Sequence, residues 1–167
     1  MMKVYIATDH AGFSLKQSVS KFLQEHGYDV EDCGAHELVP NDDYPDFIVQ
    51  AAQKVAGNPG SFGILFGGSG QGEAMAANKV KGIRCGVFYG SVVPHAATDV
   101  AGKTSSDPFA IVKLMREHND ANAIALSGRF VKEMDAIEAV KIFLETPFSN
   151  EERHVRRIEK LEIVIGQ

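Results

Sequence analysis

Cysteine is nearly absent: Cys33 and Cys85 are the only two in 167 residues, far apart and in no C-x-x-C spacing. That excludes a disulfide framework and a cysteine zinc site, and leaves both thiols as small core residues. Long apolar runs are missing too, with nothing near the ~20 residues that cross a bilayer. Met1-Met2-Lys3 leads straight into a strand-like run, without the apolar stretch of a signal peptide. Positive charge is in deficit, with 17 Lys and Arg against 22 Asp and Glu for a net charge of −5. Neither nucleic acid nor a membrane is therefore expected as a partner. Glycine (16) and proline (6) are too few for a fibrous or disordered chain. The six histidines show no H-E-x-x-H or other ligand spacing, so no metal is expected. The remainder is 44% hydrophobic and 23% charged, which suits one cytoplasmic domain spanning residues 1–167.

Short apolar runs alternate with helical patterns. Val4–Ala7, Tyr28–Val30, Gly63–Phe66, Cys85–Phe88 and Ala123–Leu126 read as strands. Between them, Leu15, Val19, Phe22 and Leu23 mark one helix, Phe47, Ala51 and Val55 a second, and Ile137, Val140 and Leu144 another. Ser149-Asn150-Glu151-Glu152 reads as a capping box opening the last helix. Strands without a polar face, bounded by helices, predict a parallel sheet buried on both sides. The expected fold class is α/β: a three-layer, doubly wound, five-stranded parallel sheet of Rossmann-like kind. Residues 90–106 fit no period and read as a long connection.

In such a sheet ligands bind beyond the carboxyl ends of the strands. Three segments there hold polar groups: Thr8-Asp9-His10-Ala11-Gly12, Gly67-Gly68-Ser69-Gly70-Gln71-Gly72-Glu73, and Ser127-Gly128-Arg129. The glycine loop can turn backbone N–H groups into one concavity and hold an anion. A dinucleotide fingerprint fails because Glu73 stands where its last glycine belongs, and a Walker A loop fails because Glu73 replaces its lysine. A tight strand-to-helix turn without a ligand accounts for the glycines equally well, and helix capping for the glutamate. A carboxylate beside a ring of donors is nevertheless what proton abstraction next to a carbonyl requires. Arg153 and Arg157, one helical turn apart, suit either a solvated face or bidentate phosphate recognition.

Taken together these pieces resemble the B-type ribose-5-phosphate isomerases, which sit with the galactose-6-phosphate isomerase subunits in one sugar-phosphate isomerase family. The matching segments are Asp9–Gly12, Asp43-Tyr44-Pro45, Gly67–Glu73 with Ala76–Lys79, Glu117–Asp120, Gly128-Arg129 and Arg153-His154-x-Arg156-Arg157, in family order. The resemblance implies aldose–ketose isomerisation through an enediol, with no metal and no other cofactor. Some members carry a cysteine base where this chain has Gly67, so the base is assigned to Glu73. It further implies an anion hole from Gly68, Ser69, Gly70, Gln71 and Gly72, and ring opening by His118. Asn119 would hold substrate oxygens, Asp9 and His10 would contact the sugar and its phosphate end, and Tyr44 would wall the pocket. Arg129, Arg153 and Arg157 would hold the phosphate. Family members are dimers or larger with sites at the interface, so a homodimer or homotetramer is expected. The substrate expected is ribose 5-phosphate. A six-carbon isomerase (allose or galactose 6-phosphate) and a non-catalytic sugar-phosphate-binding module are the rivals. Against the family, residues 90–106 read as an insertion, expected to form a flap at the ligand-binding edge that covers the sugar or braces the neighbouring subunit, with Val92, Val93 and Pro94 as a small apolar surface to pack down.

Overall fold

A computed structural model describes residues 1–165. Its strands are β1 (Lys3–Thr8), β2 (Asp29–Asp32), β3 (Phe62–Gly67), β4 (Cys85–Phe88) and β5 (Ala123–Ser127). Its helices are α1 (Phe13–Glu25), α2 (Tyr44–Gly57), α3 (Gln71–Ala77), α4 (Ala110–Asn119), α5 (Glu133–Glu145) and α6 (Glu152–Ile165), with one 3-10 turn at His10–Gly12. All strand pairs are parallel, in the order β2-β1-β3-β5-β4. The expected three-layer α/β fold is the one observed.

The apolar runs lie where parallel pairing needs them. β1, β3 and β5 are central and buried on both faces, so they carry no alternating polar residue. One core, against α1, α4 and α5, is built around Val19, Leu23, Phe66, Phe88, Val140 and Phe143. The other, against α2 and α3, holds Ile48, Ala51, Val55, Leu65 and Ala77. Cys33 belongs to the second core, whereas Cys85 sits half-buried on the edge strand β4. No helix of the described residues is long and apolar enough to cross a membrane.

One local expectation is revised. The last helix starts at Glu152, which makes that residue first in the helix and not third. Ser149 therefore closes no capping box: its Oγ receives the Glu151 N–H at 3.4 Å and pairs with His154 Nδ1 at 3.0 Å. The segment after β4 runs between the two ends of the sheet. It leaves the carboxyl edge, but Ala97–Val100 lie beside His118 and Arg153 at the far end of α4. Val92 and Val93, expected to pack down, remain exposed.

Candidate active site

β1 and β3 are neighbours whose chains turn to opposite sides of the sheet, so a crevice opens beyond their carboxyl ends. Glycines let the turns there pack closely. A Cβ on Gly12 would come within 2.6 Å of Phe66 Cβ and 2.7 Å of the Gly67 nitrogen, and one on Gly128 within 2.8 Å of the Ala11 oxygen. The β5 turn is tied down by Gly128 N–H donating to the Gly67 oxygen (2.8 Å) and the Ser127 hydroxyl to the Gly68 oxygen (2.8 Å).

Glu73, in the first turn of α3, is folded back into this crevice and only 4% exposed. A Cβ on Gly67 would fall inside its carboxyl group, so the inward carboxylate requires glycine at 67. Burial pushes the Glu73 carboxyl above its ordinary range, and the charge of Asp9 adds to this. The backbone N–H groups of Glu73 itself and of Gly70 pull the other way. Gly70 is left-handed (φ 79°), as the sharp entry into α3 demands. Ser69 Oγ receives the Gln71 N–H at 3.3 Å. The Tyr44 ring lies against Gly72, where a Cβ would meet it at 2.7 Å, and the Arg129 guanidinium lies over Gly68.

Asp9 Oδ1 caps the 3-10 turn by accepting from Ala11 N–H at 2.9 Å. Beside it stands a residue that sequence reasoning missed. Asp42 Oδ1 accepts from both the His10 backbone N–H (2.9 Å) and His10 Nδ1 (2.7 Å). A carboxylate only accepts, so Nδ1 carries the proton in this pair. Asp42 Oδ2 is buried without a partner. Asp9, His10 and Asp42 offer ligand atoms within 4.8 Å of one another, a grouping of metal-ligand types that sequence spacing does not reveal. The short Nδ1–Oδ1 contact makes it a hydrogen-bonded dyad. The only local signal was the acidic run Asp42-Asp43 before Tyr44-Pro45.

The other expected residues gather elsewhere. His118 stacks on His154, with ring centroids 4.1 Å apart. With Arg153 and Arg157 these two line a cavity of about 260 Å³. Burial, helped by His154 and Arg153, lowers the His118 pKa below its ordinary value. Arg153 Nε is 2.8 Å from Glu151 Oε2, but its N–H is not aimed there and stays buried without a partner. Asn119 turns away: its amide donates to the Leu114 oxygen at 3.3 Å, and the residue lines a separate groove beneath β4.

These two groups lie at opposite edges of the sheet. α4 ends at Asn119, just before β5 begins. Arg84, immediately before β4, binds the Asn119 and Asp120 oxygens there at 2.9 Å. Glu73 follows the carboxyl end of β3. A single chain therefore brings Asp9, His10, Tyr44, Gly68–Gly72, Glu73 and Arg129 together, and holds His118, Arg153 and Arg157 apart from them.

Residues 4–100 and 100–161 match the family model described as Ribose/Galactose Isomerase. The chain belongs to the ribose/galactose isomerase family. Within it, the chain is 41% identical over 160 residues to ribose-5-phosphate isomerase B of Mycobacterium tuberculosis, covering 96% of this chain and 88% of that protein. The probable ribose-5-phosphate isomerase B of Mycoplasma pneumoniae is 42% identical over 158 residues, covering 95% and 91%. A crystal structure of ribose-5-phosphate isomerase B from Mycoplasma genitalium with bound ribulose-5-phosphate gives a TM-score of 0.85 at 35% identity, covering 99% of this chain and 97% of that one.

Proposed function

We propose that this chain interconverts D-ribose 5-phosphate and D-ribulose 5-phosphate through an enediol(ate), with Glu73 as the base. The observation that carries this is the Glu73 carboxylate, buried over Gly67 beside the glycine loop. The relative from Mycoplasma genitalium with bound ribulose-5-phosphate supports a five-carbon ketose phosphate as ligand.

Glu73 takes the C2 proton of the open-chain aldose. The electron pair becomes the C1=C2 bond, and the oxygen on C1 gains a proton. The carboxyl then returns a proton to C1 while the hydroxyl on C2 gives up its own, which leaves the ketose. A carboxyl held above its ordinary range by burial is better matched to this two-way transfer near neutral pH. Donors of Gly68–Gly72 and the Ser69 hydroxyl stabilise the oxyanion, Tyr44 walls the sugar, and Asp9 and His10 contact it. No step asks for a metal or another cofactor. His118, neutral near pH 7 because its pKa is lowered, accepts a proton during ring opening, and Asn119 holds substrate oxygens beside it. Arg129, Arg153 and Arg157 take the phosphate.

Since these groups lie at opposite edges of one chain, two copies complete each site: one supplies Glu73 and the other His118, Arg153 and Arg157. The working unit is a homodimer or a larger even assembly. The test is isotope exchange in heavy water. Deuterium should enter C1 of ribulose 5-phosphate and, by back reaction, C2 of ribose 5-phosphate. Absence of exchange together with absence of any ketose at high enzyme concentration would reject the activity. Comparing kcat/KM on five- and six-carbon aldose phosphates decides the sugar length.

A further inference from the structure

The Arg153–Arg157 cavity has a wall that the isomerase reading does not use. It is made by Ala97–Val100, from the connection between β4 and α4, and the two stretches that match the family model meet at residue 100. This wall is a built turn. The Thr98 N–H donates to the Lys103 oxygen at 2.7 Å and the Thr98 hydroxyl to the same oxygen at 3.1 Å. Asp99 Oδ1 receives both the Ala101 and the Lys103 N–H groups, each at 2.9 Å. Gly102 is left-handed (φ 81°), the conformation that closes the turn. Its geometry is satisfied from within, so it can present a fixed surface.

That surface puts a carboxylate where an anion belongs. Asp99 lines the same cavity as Arg153, Arg157, His118 and His154. The two N–H donors of the turn hold its carboxyl below the ordinary range, and Arg153 adds to this. Arg153 Nε lies 2.8 Å from Glu151 Oε2 with its N–H unpartnered, and Asp99 faces it across the same cavity as a second negative charge. An entering phosphoryl group would take over Arg153 and sit beside the Asp99 charge.

We propose that the Thr98–Lys103 turn is an affinity-setting wall of the phosphate pocket, in which Asp99 competes with the substrate's anionic end for Arg153. The turn and the arginines belong to one chain, so whichever copy donates Arg153 to a site donates the wall with it. The consequence is weaker ground-state binding of every anion, which moves KM more than kcat and keeps product or free phosphate from being held. This inference rests on the assignment of Arg153 to the phosphate.

The test uses inorganic phosphate as a competitive inhibitor and ribose 5-phosphate as substrate, on the intact assembly. Asp99→Asn keeps the Oδ1 acceptor that knits the turn and removes the charge. It should lower the phosphate Ki and the substrate KM together by about two- to fivefold, the scale of an exposed charge pair, with kcat moving less and the effect fading in salt. A second variant replaces 98–103 with a short Gly-Ser turn and should lower Ki in the same direction. Arg153→Ala serves as the reference and should raise both constants. If Arg153→Ala raises them while Asp99→Asn leaves them within error, or the Gly-Ser variant raises Ki, the wall is refuted and the phosphate assignment stands. If Arg153→Ala moves neither constant, the phosphate assignment falls and the wall with it.

Discussion

Glu73 carries opposite consequences for stability and turnover. Burial raises its pKa above the ordinary 4.5, so the folded state favours the protonated carboxyl. Stabilisation by that proton is complete below the unfolded pKa and is lost as pH rises through the folded one. At neutral pH the ionised side chain therefore costs stability. Glu73→Gln should lower kcat by at least ~10²-fold with KM little changed, yet raise Tm at pH 7–8 and gain less at pH 4. Steady-state kinetics and melting curves across pH check both halves. Asp42 is the second residue of consequence. Its Oδ1 holds His10 by backbone and ring. Asp42→Ala strips both bonds and should cost about 1.5–3 kcal/mol in urea unfolding, with the His10 ring freed to rotate. Asp42→Asn, which keeps the acceptor, should lose less than half of that.

Among the elements, the βα turns are where the sequence leaves least freedom. Gly12, Gly67 and Gly128 stand where a Cβ would strike a neighbouring backbone or side chain. Gly12→Ala should destabilise by about 1–3 kcal/mol, the usual cost of overpacking, as read from urea unfolding. Gly67→Ala acts differently, because the atom displaced is the Glu73 carboxyl. It should lower kcat at least ~10-fold while far-UV circular dichroism stays unchanged, since a positioned base depends on ångström-scale placement. Restored turnover in a Gly67→Ala variant would show that the carboxylate works from another position. α6 carries a related lesson. Ser149 resembles a helix cap, but its hydroxyl orients His154, which is 1% exposed and stacks under His118.

At the scale of the whole molecule, the opposed edges make a sharp prediction. Glu73→Gln and an Arg153→Ala/Arg157→Ala double variant should each be nearly inactive alone. Mixed after unfolding and refolding together, half the dimers are heterodimers, and one of their two sites unites intact Glu73 with intact arginines. Activity should return to about a quarter of wild type if each site spans two copies. No recovery would mean that the site is completed within one chain.

The amino-acid sequence by itself determined the five strands, their parallel pairing, the buried faces of α1, α2 and α5, and the glycine loop ending in Glu73. The strands, helix faces and loop are local matters, since uninterrupted apolar runs, helical spacing and turn residues act over a few positions, and the parallel sense follows from helices standing between strands that lack a polar face. Only the tertiary structure decided what is not local. Asp42 meets His10 across 32 positions because α2 begins beside the end of β1. Within one chain His118 and Glu73 separate because α4 runs antiparallel to the strands and delivers its last turn to their amino ends. The segment after β4 has no period of its own, so its course followed from what it could touch. Its turn comes to lie beside His118 and Arg153, held by its own backbone and Asp99 hydrogen bonds, while Val92, Val93 and Val100 stay exposed.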